Sequence, residues 1–142
     1  MKIAIGSDHA GFTLKEVLKN HLQIAAYVIT DVGCFSSESV DFPDYAHQVA
    51  KLVEDKAVDF GVIICGSGQG VCIAANRHKG VRALLLRSEE DAKLGREHNN
   101  GNVACFGARM TDEKTAQKLL KIFLETKFAE GRHSKRVEKI DC

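Results

Sequence analysis

Five short apolar runs, rich in β-branched residues, are separated by amphipathic stretches along the chain, and this alternation restricts the fold more than any other feature. The runs are residues 2–6, 26–32, 60–65, 81–86 and 102–106. They are continuously apolar more than alternating, the pattern of strands covered on both faces. Between them, Leu14, Val17, Leu18, Leu22 and Ala25 recur at helical spacing, and so do Ala116, Leu119, Leu120, Phe123 and Leu124. Each set makes one apolar stripe on a polar helix. Thr111, Asp112 and Glu113 open the second stretch with capping and acidic residues suited to a first turn. Further helices are expected at 45–53, 70–76 and 89–97. Successive βα units with right-handed crossovers predict an α/β fold. The expected form is a Rossmann-like three-layer αβα sandwich on a five-stranded parallel sheet, with strand order 2-1-3-4-5.

The 142 residues suit one domain, 1–142, with a basic tail at about 129–142 outside the βα alternation. Twenty Lys and Arg against nineteen Asp and Glu leave a net charge of +1, which argues against a nucleic-acid partner. No apolar run approaches the ~18 residues of a membrane span. The first strand leads straight into Ser7-Asp8-His9, so the long apolar region of a signal peptide is not expected. Five cysteines, 34, 65, 72, 105 and 142, form no C-x-x-C pair. A disulfide framework or structural zinc site is therefore not expected, and the cytoplasm is the expected location. Cys72 and Cys105 read as core thiols, Cys34 as exposed, and Cys142 is the chain terminus.

Ligands of open α/β sheets bind at the carboxyl ends of the strands. That rule selects Ser7-Asp8-His9-Ala10-Gly11, Cys65-Gly66-Ser67-Gly68-Gln69-Gly70, Arg87-Ser88-Glu89 and Gly107-Ala108-Arg109. Glu97-His98-Asn99 lies just before the fifth strand. Gly66, Gly68 and Gly70 stand at alternate positions between a strand and a helix, where backbone N–H groups can turn toward a phosphate or an oxyanion. The loop lacks the Gly-Lys-Ser/Thr of a Walker motif, and Val71 replaces the third glycine of G-x-G-x-x-G. A tight βα turn is the plain alternative, although such a turn seldom needs three glycines. Cys65 is either a thiol activated near a helix N-terminus or an inert core residue. Asp8 and His9 follow a strand directly, a position more often functional than structural. His98 fits a surface histidine as well as an acid–base group. Arg132 and Arg136, four residues apart, could clamp a phosphate from one helix face or form a solvated tail.

Taken in order, Ser7-Asp8-His9-Ala10-Gly11, Cys65-Gly66-Ser67-Gly68-x-Gly70, Ile73-Ala74-Ala75-Asn76, Glu97-His98-Asn99 and Gly131-Arg132-His133-x-x-Arg136-Val137 resemble the type B ribose-5-phosphate isomerases. That family is shared with galactose-6-phosphate isomerase subunits, which lack the combined Asp-His, His-Asn and Arg-His-x-x-Arg set. The resemblance runs from Lys2 to about Ile140. It implies a homodimer with active sites built from both subunits, with pairing into tetramers left open. It also implies a sugar-phosphate substrate, no cofactor and no metal. By position, Cys65 resembles the base that moves a proton between C2 and C1. Ser67 matches a hydroxyl assisting at the reacting end, and the N–H groups of Gly66, Gly68 and Gly70 match the enediolate cradle. His98 resembles the ring opener, Asp8 a carboxylate on the sugar hydroxyls, and Asn99 a further contact. His9, Arg109, Arg132 and Arg136 match the phosphate binders. Val71 stands where some members carry a catalytic Glu, and Phe42 where many carry Tyr before the proline.

These residue types suit the reaction implied, ribose 5-phosphate to ribulose 5-phosphate through a cis-enediolate in the pentose phosphate pathway. The enediolate needs electrostatic stabilisation, and one tuned base can serve both carbons. A closed furanose needs a separate acid–base group to open it, and histidine titrates in the right range. A six-carbon substrate such as allose 6-phosphate, or a non-catalytic phosphosugar sensor, would use much of the same machinery.

Overall fold

A computed structural model describes residues 1–141; Cys142 lies outside the described residues. Five parallel strands form one sheet: β1 (Lys2–Ser7), β2 (Val28–Gly33), β3 (Phe60–Cys65), β4 (Ala83–Leu85) and β5 (Val103–Gly107). Helices α1 (Phe12–Ile24), α2 (Phe42–Glu54), α3 (Gln69–Ala75), α4 (Glu89–Asn99) and α5 (Glu113–Glu125) follow the strands in turn. The apolar stripe of α1 puts Leu14, Leu18 and Leu22 in the core, and that of α5 buries Ala116, Leu119, Leu120, Phe123 and Leu124. Pro43 fits the first turn of α2, where no intrahelical N–H is needed, so this helix starts ahead of the expected residue 45. Ser88 and Asp91 form a reciprocal capping box on α4, and Asp112 caps α5 through the Thr115 N–H at 2.9 Å.

The strand order is β2-β1-β3-β5-β4, not the expected 2-1-3-4-5. Burial supplies the reason. All of β5 is buried, whereas β4 is three residues long, half-buried and flanked by Arg82 and Arg87. A short strand bordered by charge suits an edge, and β5 takes the inner place beside β3. The chain thus reverses direction between β4 and β5, and a right-handed crossover then puts α4 on the face opposite α3. The two cores agree. One joins α1, α4 and α5 residues, among them Leu18, Ala92 and Phe123; the other joins α2 and α3 residues, among them Val49 and Val71.

The tail is not a loose solvated segment. A 3-10 turn, Gly131–His133, runs into a short helix α6, Ser134–Glu138. The Ala129 N–H donates to the Glu97 carbonyl at 3.0 Å, tying the tail to the end of α4. Cys34, expected to be exposed, is 3% exposed, with its N–H on the Ser7 carbonyl at 2.8 Å. Cys105 is buried and Cys72 half-buried.

Candidate active site

The order β1-β3-β5 brings three loops to one end of the sheet. The Asp8 N–H donates to the Ile64 carbonyl at 3.2 Å, docking the first loop on the end of β3. Asp8 Oδ1 accepts the Gly11 N–H at 3.0 Å, which fixes a carboxylate that is 7% exposed. Cys65 pairs with Gly107 in the sheet. The Ala108 N–H donates to the Cys65 carbonyl at 2.8 Å and the Arg109 N–H to the Gly66 carbonyl at 3.0 Å. With the expected strand order, β4 would stand between these loops. The observed order is therefore what seats Arg109 on the glycine loop: its Nη1 is 2.8 Å from where a Cβ on Gly66 would lie.

Within that loop the Gly68 N–H donates to Cys65 Sγ at 3.1 Å. A backbone donor aimed at sulfur stabilises negative charge there. Gly68 holds φ +78, and a Cβ on it would meet Leu85 at 2.6 Å and the Gly107 nitrogen at 2.9 Å, so only glycine fits. The exposed Ser67 accepts the Gln69 N–H on its Oγ at 3.2 Å. Among the described residues, the N–H groups of Gly66 and Ser67 have no internal partner and remain available to an oxyanion. The Phe42 ring lies against Gly70, 2.6 Å from its would-be Cβ, and forms an apolar wall there.

His9 sits beside this loop set. Its Nδ1 accepts the Val40 N–H at 3.2 Å, so the neutral ring carries its proton on Nε2 and presents a donor. Arg109 is exposed, and none of the eight ion pairs among the described residues involves Arg109, Arg132 or Arg136. Guanidinium groups without carboxylate partners are free to bind an external anion.

The remaining predicted residues lie elsewhere in the protomer. His98 and Asn99 end α4, and the chain then enters β5 at Val103. Cys65 is beside Gly107, at the other end of β5. Four strand steps, about 13 Å, separate the two ends of that strand. Arg132 and Arg136 join His98 and not Cys65, because the tail packs on α4. The buried Arg96 locks this corner: it donates to the Thr126 carbonyl at 3.1 Å and the Gly101 carbonyl at 2.6 Å. One protomer therefore gathers Asp8, His9, Cys65, Gly66, Ser67, Gly68, Gly70 and Arg109 at one end of the sheet. His98, Asn99, Arg132 and Arg136 gather at the other.

The His98 and His133 rings stack in this second set, with centroids 4.4 Å apart and planes at 12°. In the sequence His133 stands within the Arg132-His133-x-x-Arg136 motif, with no role implied for it. Its burial comes from the 3-10 turn, which leaves no periodic signal. Among the described residues no group of three His, Cys, Asp or Glu is placed to hold a metal. No described helix is long and apolar enough to cross a membrane.

Comparison with known proteins agrees with this geometry. The family model described as Ribose/Galactose Isomerase matches residues 3–140. Ribose-5-phosphate isomerase B of Escherichia coli is 42% identical over 139 residues, 98% of this chain and 93% of that protein. The crystal structure of a ribose 5-phosphate isomerase from Thermotoga maritima superposes with a TM-score of 0.96 at 45% identity, covering 99% of this chain and 97% of the other. That of Ribose-5-phosphate Isomerase B from Mycoplasma genitalium, with bound ribulose-5-phosphate, gives 0.94 at 41% identity, covering 98% and 93%. With a matching family model over nearly its whole length and a thiol, a glycine cradle and free arginines in place, the chain belongs to the ribose/galactose isomerase family.

Proposed function

We propose that this chain is a type B isomerase interconverting ribose 5-phosphate and ribulose 5-phosphate, acting in the pentose phosphate pathway in the cytoplasm. The observation that carries the reading is Cys65 Sγ held by the Gly68 N–H in a loop flanked by Asp8 and Arg109. In its thiolate form Cys65 takes the C2 proton of the open aldose. The electron pair moves onto the C1 oxygen, and the enediolate charge falls beside the free N–H groups of Gly66 and Ser67. Ser67 serves the reacting oxygens, relaying the O2 proton to O1, Asp8 serves the sugar hydroxyls, and Cys65 returns its proton to C1 as the C2 carbonyl forms. His9 and Arg109 bind the phosphate from the same protomer.

His98 opens the furanose, Asn99 adds a contact, and Arg132 and Arg136 complete the phosphate clamp, all four supplied by a second copy. The separation of the two residue sets within one protomer supports that assignment. So do the exposed Ile73 on α3 and Met110 after β5, apolar side chains near the glycine loop that a second copy would cover. The family match over residues 3–140 supports reading the chain as one isomerase unit.

The test is turnover of ribose 5-phosphate by the purified protein, with and without a chelator. Chelator-resistant formation of ribulose 5-phosphate is expected. No turnover of ribose 5-phosphate, with turnover of a six-carbon phosphate, would overturn the substrate assignment; tight binding with no turnover of either would overturn the enzyme itself.

A further inference from the structure

The stacked pair His98–His133 has a consequence for the ring-opening half of the reaction. Ring opening moves one proton off the O1 hydroxyl, breaks the C1–O4 bond and delivers one proton to O4. An imidazole that mediates this must present one nitrogen in a fixed direction. His98 is half-buried in the last turn of α4, and among the described residues neither its ring nor that of His133 has a hydrogen-bond partner. What fixes the plane of His98 is the face of His133, parallel to within 12° at 4.4 Å. His133 is 9% exposed, held in the turn by its N–H on the Glu130 carbonyl at 3.0 Å. Arg132 and Arg136, on either side of it in sequence, are both exposed.

We propose that His133 is a positioning residue for ring opening: its buried imidazole, stacked on His98, holds the His98 ring in the plane from which it exchanges protons with the sugar. The inference rests on the reading of His98 as the ring opener. The surroundings keep the two rings unlike. Burial first, and then the positive charges of His98, Arg132 and Arg136, hold His133 below the ordinary histidine range, with Glu97 opposing. His133 is therefore neutral near pH 7, and a neutral ring can face His98 in both of its protonation states. Arg132 and Arg136 bind the phosphate, while the residue between them orients the acid–base group. One turn of chain thus couples phosphate binding to ring opening.

The experiment compares His133→Ala, His133→Phe and His98→Asn in both directions. Ribulose 5-phosphate has its O5 phosphorylated and no ring to open; the aldose it yields can leave as the open aldehyde and close in solution. His133→Ala is expected to lower kcat on ribose 5-phosphate by at least about tenfold, with KM within about twofold, and to spare the reaction started from ribulose 5-phosphate. His133→Phe, which keeps a flat ring in the stack, is expected to recover most of that loss. Equal losses in both directions with no recovery by Phe would overturn the proposal in favour of a merely structural turn. A rise in KM alone would reduce His133 to an anchor for the two arginines, and an unchanged kcat in His133→Ala would also overturn it. If His98→Asn turns over ribose 5-phosphate normally, the underlying reading of His98 fails; if it loses that activity while His133→Ala does not, only this inference fails.

Discussion

At Cys65 the proposed proton transfer depends on one contact, the Gly68 N–H at 3.1 Å from the sulfur. A hydroxyl in the same place is a far poorer base near neutral pH. Cys65→Ser is therefore expected to lower kcat by at least about 100-fold with little change in KM, measured by steady-state kinetics on ribose 5-phosphate. The other thiols differ in kind. Burial, then its contact with Cys72, pushes the Cys105 thiol well above its ordinary range, so Cys105 should resist alkylation in the native protein and react once it is unfolded, as read by mass spectrometry. His133 yields a prediction of definite sign. Its folded value lies below the ordinary one, so between the two the unfolded chain binds more protons than the folded chain. The stability it contributes is intact above about pH 6.5 and lost as pH falls below it. Thermal unfolding followed from pH 7 to 5.5 should show a fall in Tm that His133→Phe reduces.

Among the elements, the join of α1 to β2 carries the most exposed energetic risk. Lys15 is fully buried, with its ammonium 2.7 Å from Asp31 and over the ring of Phe35 at 5.1 Å. Burial pushes the Asp31 carboxyl up, but Lys15, Lys19 and the Gly33 N–H outweigh it and hold the group below its ordinary range. Removing Asp31 leaves the buried Lys15 ammonium with only the more exposed Glu16 carboxylate, at 2.8 Å. Asp31→Ala should cost about 2–3 kcal/mol, short of the full cost of a stranded charge, and adding Lys15→Met to it should recover much of that loss, both measured by denaturant unfolding. The elements themselves were legible from apolar runs and helical stripes. Their lateral order was not, because an apolar run shows that a strand is buried and not which strands flank it. Only the arginines beside the fourth run hinted at an edge; its shortness, three residues where six were expected, appears in the structure alone. That missed order matters, since it is what places Arg109 on the loop of Cys65.

For the whole molecule, the two residue sets at opposite ends of the sheet define the account. The loops at the strand ends were recognisable by a general rule of open α/β sheets. The separation of His98 from Cys65 follows from the same parallel order: a residue just before β5 sits at its amino end, whereas Cys65 closes β3 at the carboxyl end. In the proposed dimer, a two-fold pairing brings one protomer's Cys65 to its partner's His98 and repairs the separation twice over. The most direct test is complementation. Cys65→Ser and His98→Asn, each nearly inactive alone on ribose 5-phosphate, are co-expressed so that mixed dimers form. A mixed dimer holds one site with both defects and one with neither, so statistical assembly should restore about a quarter of the wild-type rate. A co-expressed mixture that forms dimers yet stays as inactive as its parents would contradict the shared site.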